Sequence, residues 1–369
     1  VRRRIAIFVL VVQSILFLVH FFFYETWTVF WGGARPQGNL TLRLAIVLLS
    51  MSFMSASLLA FRISNVLVRM YYTISAVWLG FVNFAFAAAC ACWFFYAVFG
   101  IFGWHPDRRL LAEVFLGLAI LATLYGMANA SWIRIRKITV KLPNLPESWR
   151  GRVAAQVSDL HLGHVRNLGF IRRIVTMLIR LRPDIVFITG DLYDGTAADL
   201  GRLSEPWLEI TPPLGTYFIT GNHEEFFDRT EYMEALKNFG VRILNNEKII
   251  VDGLQIVGVH DRDAASGPRF RSLLKQAALD RERASILLVH EPRHLLVAEE
   301  EGISLQLSGH THQGQFFPFT RIVSRIYKQY AYGLHRWGNL IVYTTCGAGT
   351  WGPPLRVGTN PEIVLIRFE

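Results

Sequence analysis

The stretch LSGHTHQGQF, residues 307–316, sets His310 and His312 one residue apart, directly after an apolar run and Gly309. Its pattern recurs upstream. VSDLHLG (157–163) offers Asp159 and His161, and ITGDLYDG (188–195) offers Asp191 and Asp194. ITGNHEE (219–225) offers Asn222, His223 and Glu224, and LLVHEP (287–292) offers His290. Each fragment follows a short apolar run that reads as a strand: 153–158, 184–189, 216–220, 286–289 and 304–307, with further strands at 255–259, 340–344 and 363–367. Helical spacing is expected at Leu168–Leu181, Thr230–Phe239 and Phe270–Ala278. Strands alternating with helices predict an α/β domain. Polar groups in loops at strand ends are where such domains carry their sites.

Carboxylates, imidazoles and one amide, without thiols, suit Mn, Fe or Zn, with Mg less well matched to so many imidazoles. Seven such ligands hold two divalent ions if one carboxylate bridges them. Ions so paired, about 3.5–4 Å apart, clamp a phosphoryl group and activate a water. Gly190, Gly221 and Gly309 each precede a ligand, and a glycine there permits a sharp exit from the strand.

Asp-x-His, Gly-Asp-x-x-Asp-Gly, Gly-Asn-His-Glu, a lone His after a strand and Gly-His-Thr-His, in this order, resemble the calcineurin-like metallophosphoesterases over about residues 150–369. The resemblance implies a four-layer αββα sandwich with the site at one edge of its sheets. It implies that Asp159, His161 and His312 bind one metal and that Asn222, His290 and His310 bind the second. Asp191 bridges them, and His223 stabilises the phosphoryl charge or protonates the leaving oxygen. The C-terminal CGAGTWGPPLRVGTNPEIVLI (346–366) and GHTHQGQ are similar to membrane-associated bacterial enzymes of this superfamily, some of which hydrolyse UDP-2,3-diacylglucosamine in lipid A synthesis. Gln313 departs from that branch, which often has glycine there. It follows the ligands, so it bears on substrate more than on chemistry.

The first 141 residues are of another kind. Four apolar segments, about 5–24, 44–61, 71–102 and 110–130, have the length of membrane-crossing helices. Residues 1–141 hold 13 Lys/Arg and 3 Asp/Glu, whereas residues 142–369 hold 25 of each. The excess positive charge therefore flanks the apolar segments, and the soluble half lacks the basic footprint of a nucleic-acid binder. With the N-terminus inside, Arg2, Arg3, Arg4, Arg62, Arg69, Arg134, Arg136, Lys137 and Lys141 lie on the inner side. Arg35, Arg43, Arg108 and Arg109 lie on the outer side. Four crossings then return a domain of residues 150–369 to the cytoplasmic face of a multi-pass protein, in the inner membrane if the bacterial resemblance holds. His20 and His105, near segment ends, are expected at the interfaces. Three cysteines, two of them inside an apolar run, require no oxidising compartment.

The expected activity is hydrolysis of a phosphoester or pyrophosphate. A shared bilayer makes a lipid-linked substrate such as UDP-2,3-diacylglucosamine attractive. The alternatives are a water-soluble ester, a non-catalytic membrane scaffold, which would have lost ligands, and a transporter, which would show charge inside the apolar segments. GAGTWG (347–352) matches a dinucleotide-binding pattern, but Pro353 and Pro354 stand where its helix should begin. A tight loop near the metals is expected there. Arg356 behind it and His164 are candidate substrate contacts. FFPFTRIVSRIYKQY (316–330) alternates apolar and basic residues at helical spacing. It reads as a short helix that packs on the core, lies on a membrane surface or holds an acyl chain.

Overall fold

The computed structural model describes residues 2–31, 40–225 and 229–369, and the side chains of residues 2–6, 8 and 229 are outside it. Arg35, used above for orientation, is not among the described residues. The chain forms two compact units, residues 1–128 with 352–355, and residues 129–351 with 356–369.

The first unit contains α1 (Arg2–Phe30), α2 (Leu40–Ala60), α3 (Val66–Ile101) and α4 (Arg108–Ser131, whose last residues belong to the second unit). All four are long and apolar enough to cross a membrane. Leu10, Leu18, Leu48, Ile74 and Leu121 are exposed along them, the arrangement expected where the surrounding solvent is hydrocarbon. Polar groups join the helices instead. Trp78 Nε1 donates to His20 Nε2 at 3.0 Å, Trp93 Nε1 donates to Thr26 Oγ1 at 2.9 Å, and Gln13 Nε2 donates to Ser50 O at 3.0 Å. Such bonds replace water as the partner of a buried polar atom. His20, on α1, is therefore buried against α3.

The second unit runs β1 (Arg134–Val140), β2 (Val153–Val157), α5 (Leu168–Leu181), β3 (Ile185–Thr189), α6 (Leu200–Ser204), β4 (Thr216–Ile219), α7 (Arg229–Lys237), β5 (Val241–Ile243), β6 (Glu247–Val251) and β7 (Leu254–Gly258). It continues through α8 (Asp261–Ala264), α9 (Gly267–Gln276), β8 (Ser285–Leu288), α10 (Leu295–Glu300), β9 (Leu305–Ser308), α11 (Phe319–Tyr327), β10 (Gly333–Trp337), β11 (Leu340–Thr344) and β12 (Glu362–Phe368). Two six-stranded sheets result, ordered β1-β12-β2-β3-β4-β5 and β10-β11-β9-β8-β7-β6. Strand periodicity explains the layers. Ile185 and Phe187 of β3 point into the core between the sheets, with Ile256, Ile286, Leu307 and Ile341 from the other sheet. Val186 and Ile188 point outward onto α5. Residues buried on both faces account for the near-continuous apolar runs. In α5, Ile171, Ile174, Val175 and Leu178 form the buried stripe. Asn167 caps its N-terminus by accepting from Gly169 N at 3.0 Å. A third cluster, with Phe270, Leu273 and Leu295, covers the second sheet with α9 and α10. The order helix, sheet, sheet, helix is the expected four-layer sandwich.

The expected boundary near residue 141 falls earlier. Residues 134–140, counted above with the membrane half, form β1 and pair in parallel with β12 along its length. The basic side chains that suggested a membrane flank, Arg134, Arg136 and Lys137, belong to an edge strand.

Candidate metal centre

The sandwich brings the five fragments together. Asp159 and His161 leave β2, Asp191 leaves β3, Asn222 and His223 leave β4, His290 leaves β8, and His310 and His312 leave β9. Ligand atoms of Asp159, His161 and His312 lie within 4.8 Å of one another, as do those of Asp191, His290 and His310. Asp191 stands between the groups. Its Oδ2 is 3.1 Å from His290 Nε2 and 3.9 Å from His161 Nε2. Asn222 Oδ1 lies 2.8 Å from His310 Nδ1, so the amide joins the second group.

The backbone is bent to make this fit. Asp159, His161, Asp191, His310 and His312 all have positive φ, between 47° and 69°. A non-glycine residue there costs about 1–3 kcal/mol, and such residues concentrate at functional sites. Two kinds of glycine support the bends. Gly190 has φ of 90° and needs the conformation itself. Gly221 and Gly309 do not have positive φ, and space is the constraint. A Cβ on Gly221 would collide with Asp191 Oδ1, and one on Gly309 with Ser158 Oγ and Asp159 Oδ2. The expected role in leaving the strand therefore holds for Gly190 alone.

The donor set fits divalent cations. The Nε2 atoms of His161 and His312 face each other at 2.9 Å, a separation at which two imidazoles share a proton or a cation. His161 Nδ1 is buried without a hydrogen-bond partner among the described residues, and Asp194 Oδ1 stands off at 3.5 Å. The charge pattern is also polarised. Burial opposes charge on His290, but Asp191 beside it, with Asp159 and Asp261 behind, raises the imidazole to about 10. Burial and the neighbouring His290 lower His310 to about 3. Burial works against ionised Asp191, yet His290 and His223 outweigh it and hold the carboxyl well below its usual range. Metal binding displaces such protons, so carboxylates beside proton-rich imidazoles suit a cation in their place.

His223 lies beside the first group, its ring 4.5 Å from that of His161. Its Nδ1 is 2.9 Å from Asp194 O and its N–H donates to Asp191 Oδ1 at 2.9 Å. Burial disfavours its charge, and Asp191 and Asp194 more than compensate, so its pKa is raised. Two residues given no role above prove central. Glu224 is fully buried, and its carboxylate accepts from Gly221 N at 2.7 Å, Asp191 N at 3.0 Å and Tyr193 N at 2.9 Å. It thereby ties the loop after β4 to the loop after β3. Asp194 approaches both His161 and His223. The second Asp of Gly-Asp-x-x-Asp was a signal for Asp194. Gly-Asn-His-Glu marked Glu224 as well, but not its task, because its partners are backbone groups of two loops.

Arg356 and His164 do not present themselves as substrate contacts. Arg356 is fully buried, and its guanidinium donates to Cys346 O at 2.6 Å, Gly349 O at 2.7 Å and His312 Nδ1 at 3.0 Å. Its donors are spent on bracing His312 and the loop at 346–349. His164 is buried, with Nδ1 3.2 Å from Thr196 Oγ1. The loop expected near the metals is there: Ala348 N donates to Ser158 O and Gly349 N to Asp159 O.

A model of the family described as calcineurin-like phosphoesterase matches residues 153–314. Over 274 residues, 69% of this chain, the sequence is 34% identical to a Danio rerio protein named transmembrane protein with metallophosphoesterase domain, 62% of whose length is covered. A Campylobacter jejuni metallophosphoesterase is 30% identical over 267 residues, 71% of this chain and 70% of that protein. One from Aquifex aeolicus is 31% identical over 260 residues, 68% of this chain and 98% of that protein.

Proposed function

The chain belongs to the calcineurin-like phosphoesterase family, and on that footing we propose that it is a membrane-anchored dinuclear metallophosphoesterase acting on a lipid-linked phosphoester or pyrophosphate. The observation that carries the reading is Asp191 Oδ2, set between two ligand groups at 3.1 Å from His290 and 3.9 Å from His161. In this reading Asp159, His161 and His312 hold one divalent ion, Asn222, His290 and His310 hold the other, and Asp191 serves both. Manganese is the ion to test first. When bound, the ions supply a nucleophile from water and neutralise the phosphoryl oxygens. The chain's own residues do the rest. Glu224 holds the Asp191 backbone, and Gly221 leaves room for its carboxylate. Arg356 holds the His312 ring from behind. His223, with Nδ1 engaged by Asp194 O, offers Nε2 to the leaving oxygen as proton donor.

The lipid-linked substrate rests on the four helices, which would confine enzyme and substrate to one bilayer. UDP-2,3-diacylglucosamine is the specific candidate. With Arg134, Arg136 and Lys137 assigned to β1, the support for a domain on the cytoplasmic face, in a bacterial inner membrane if that substrate is right, is the smaller excess of Arg2, Arg3, Arg4, Arg62, Arg69 and Lys141 over Arg35, Arg43, Arg108 and Arg109. The test is Mn²⁺-dependent release of UMP from UDP-2,3-diacylglucosamine by the detergent-purified full chain, beside a generic p-nitrophenyl diester. Both activities are expected, and Asp191→Ala should abolish both. Cleavage of the diester alone rejects the lipid substrate. A folded, metal-loaded chain that cleaves neither rejects the phosphoesterase.

A further inference from the structure

Helix α11 buries none of its residues. Its inner side, Thr320, Val323 and Tyr327, is only partly covered. A second stripe at i, i+3 and i+7 runs beside it and is exposed: Phe319 is 46% exposed, Ile322 46% and Ile326 63%. At about 100° per residue, Arg325 lies about a quarter-turn and Arg321 about a third of a turn from the middle of this stripe, Ser324 lies nearly opposite it, and the partly covered side lies about a quarter-turn away on the other flank. Apolar residues flanked by long basic side chains are the pattern of a helix lying in a membrane interface. The helix meets the rest of the second unit along its inner side and through Phe319, whose ring is 5.5 Å from that of buried Phe316, while Ile322 and Ile326 stay exposed.

The surroundings point the same way. Residues 302–361 contain five Lys/Arg and no Asp or Glu; Arg356 is buried, and the four that are exposed, Arg321, Arg325, Lys328 and Arg336, make the surface of this stretch complementary to an anionic one. The helix also flanks the metal centre at both ends. Tyr327 donates to Glu291 Oε1 at 2.8 Å, and its ring is 6.3 Å from that of His310. Before the N-terminus, Gln315 exchanges hydrogen bonds with the backbone of Trp351, at 3.0 and 3.1 Å. The Trp351 ring is exposed and stands 6.1 Å from that of His223.

We propose that α11 is an interfacial helix that seats the centre on an anionic lipid surface, with Phe319, Ile322 and Ile326 among the acyl chains and Arg321, Arg325 and Lys328 among the headgroup phosphates. The seating brings the mouth of the centre to the depth of headgroup esters. That consequence rests on the phosphoesterase reading, whereas the seating itself does not.

The test places a spin label on the full chain in lipid nanodiscs at Ile322→Cys, Ile326→Cys or Ser324→Cys. Cys90 and Cys92 are replaced by Ala, and Cys346 is kept because it is buried. These positions are exposed, so the labels leave the fold intact. Labels at 322 and 326 should collide several-fold more often with lipid-soluble oxygen than with a water-soluble nickel chelate, and the label at 324 should show the reverse. The contrast should weaken when phosphatidylglycerol is omitted or when Arg321, Arg325 and Lys328 become Gln. Chelate access at all three positions would overturn the proposal by placing α11 in water. Shielding of 322 and 326 from both reagents would overturn it by showing a protein cover. None of these readings depends on hydrolysis. In a separate arm, Ile322→Ser with Ile326→Ser should lower turnover of a bilayer-embedded ester several-fold and leave a water-soluble ester unchanged. Equal effects on the two esters would reject the role in substrate access.

Discussion

Glu224→Gln tests whether one buried carboxylate holds the two halves of the centre in register. In the wild type, one oxygen accepts from Gly221 N and Asp191 N, and the other accepts from Tyr193 N. Gln can keep one oxygen acceptor, but its NH₂ must then face a backbone N–H. Burial and the neighbouring Asp191 raise the Glu224 carboxyl to about 7, so the comparison belongs at pH about 9, where it is ionised: at best, one bond is lost with its donor left buried, at about 1–3 kcal/mol, and two bonds lose their charge assistance, at about 1 kcal/mol each. The total is about 3–5 kcal/mol. At roughly 2–4 °C per kcal/mol for a domain of 150–250 residues, the melting temperature of the soluble unit should fall by about 6–20 °C. Asp191 is tethered through one of these bonds, so metal per folded chain should fall as well. Near-UV circular dichroism on heating and elemental analysis of the purified full chain read the two effects. Glu224→Ala would leave three donors without a partner, a loss comparable to a whole domain's stability of about 5–15 kcal/mol, and should yield little folded protein. A Glu224→Gln chain that melts within 1–2 °C of wild type and keeps its full metal would refute the tethering argument.

Further expectations concern the groups around it. Gly309→Ala places a Cβ onto Ser158 Oγ and Asp159 Oδ2, and should cost metal at the Asp159 group while the Asp191 group still fills; two ions per chain by elemental analysis would contradict the crowding. Arg356→Lys removes donors from buried carbonyls and from His312 Nδ1, and should destabilise by about 2–4 kcal/mol; a raised KM with unchanged stability would instead show Arg356 holding substrate. His290 has a folded value of about 10 against an ordinary 6.5, so with divalent ions removed by chelator its pairing with Asp191 stabilises fully below pH 6.5 and is lost as pH rises from 6.5 through about 10. The melting temperature should decline across that window and flatten when ions are restored, because ligation replaces the proton. A flat profile in chelator would show that His290 binds no extra proton.

Some of this protein could be read from the chain alone, because the interactions responsible are local or periodic. Length and hydropathy identified four long apolar helices, although α1 and α4 extend past the expected segments at both ends and α2 and α3 start earlier. Apolar runs of four or five residues, buried on both faces, identified the central strands, with β11 at Leu340–Thr344 as expected. The ligand fragments were legible because each pairs a strand end with residues of one chemistry. The strands that went unread, β1, β5, β6 and β10, are the four sheet edges. Edge strands are short or carry charge to block further pairing, so RIRKITV and GLHRW lose the alternation that marks a half-buried strand.

Tertiary structure alone decided how the fragments act on one another. The position of Asp191 between two groups, the left-handed backbone at five ligands and the reach of Glu224 to three amides all depend on loops brought together from residues 159 to 312. Burial decided the rest. Arg356 and His164 were polar residues beside a site in the sequence, but the packing around them consumes their hydrogen bonds. The 316–330 segment ran the other way: its periodicity was compatible with a core or a surface. Only the second unit's packing decided which of its side chains stay exposed, Phe319, Ile322 and Ile326 among them. A sequence specifies which faces are apolar. Whether another element covers such a face depends on every other part of the chain.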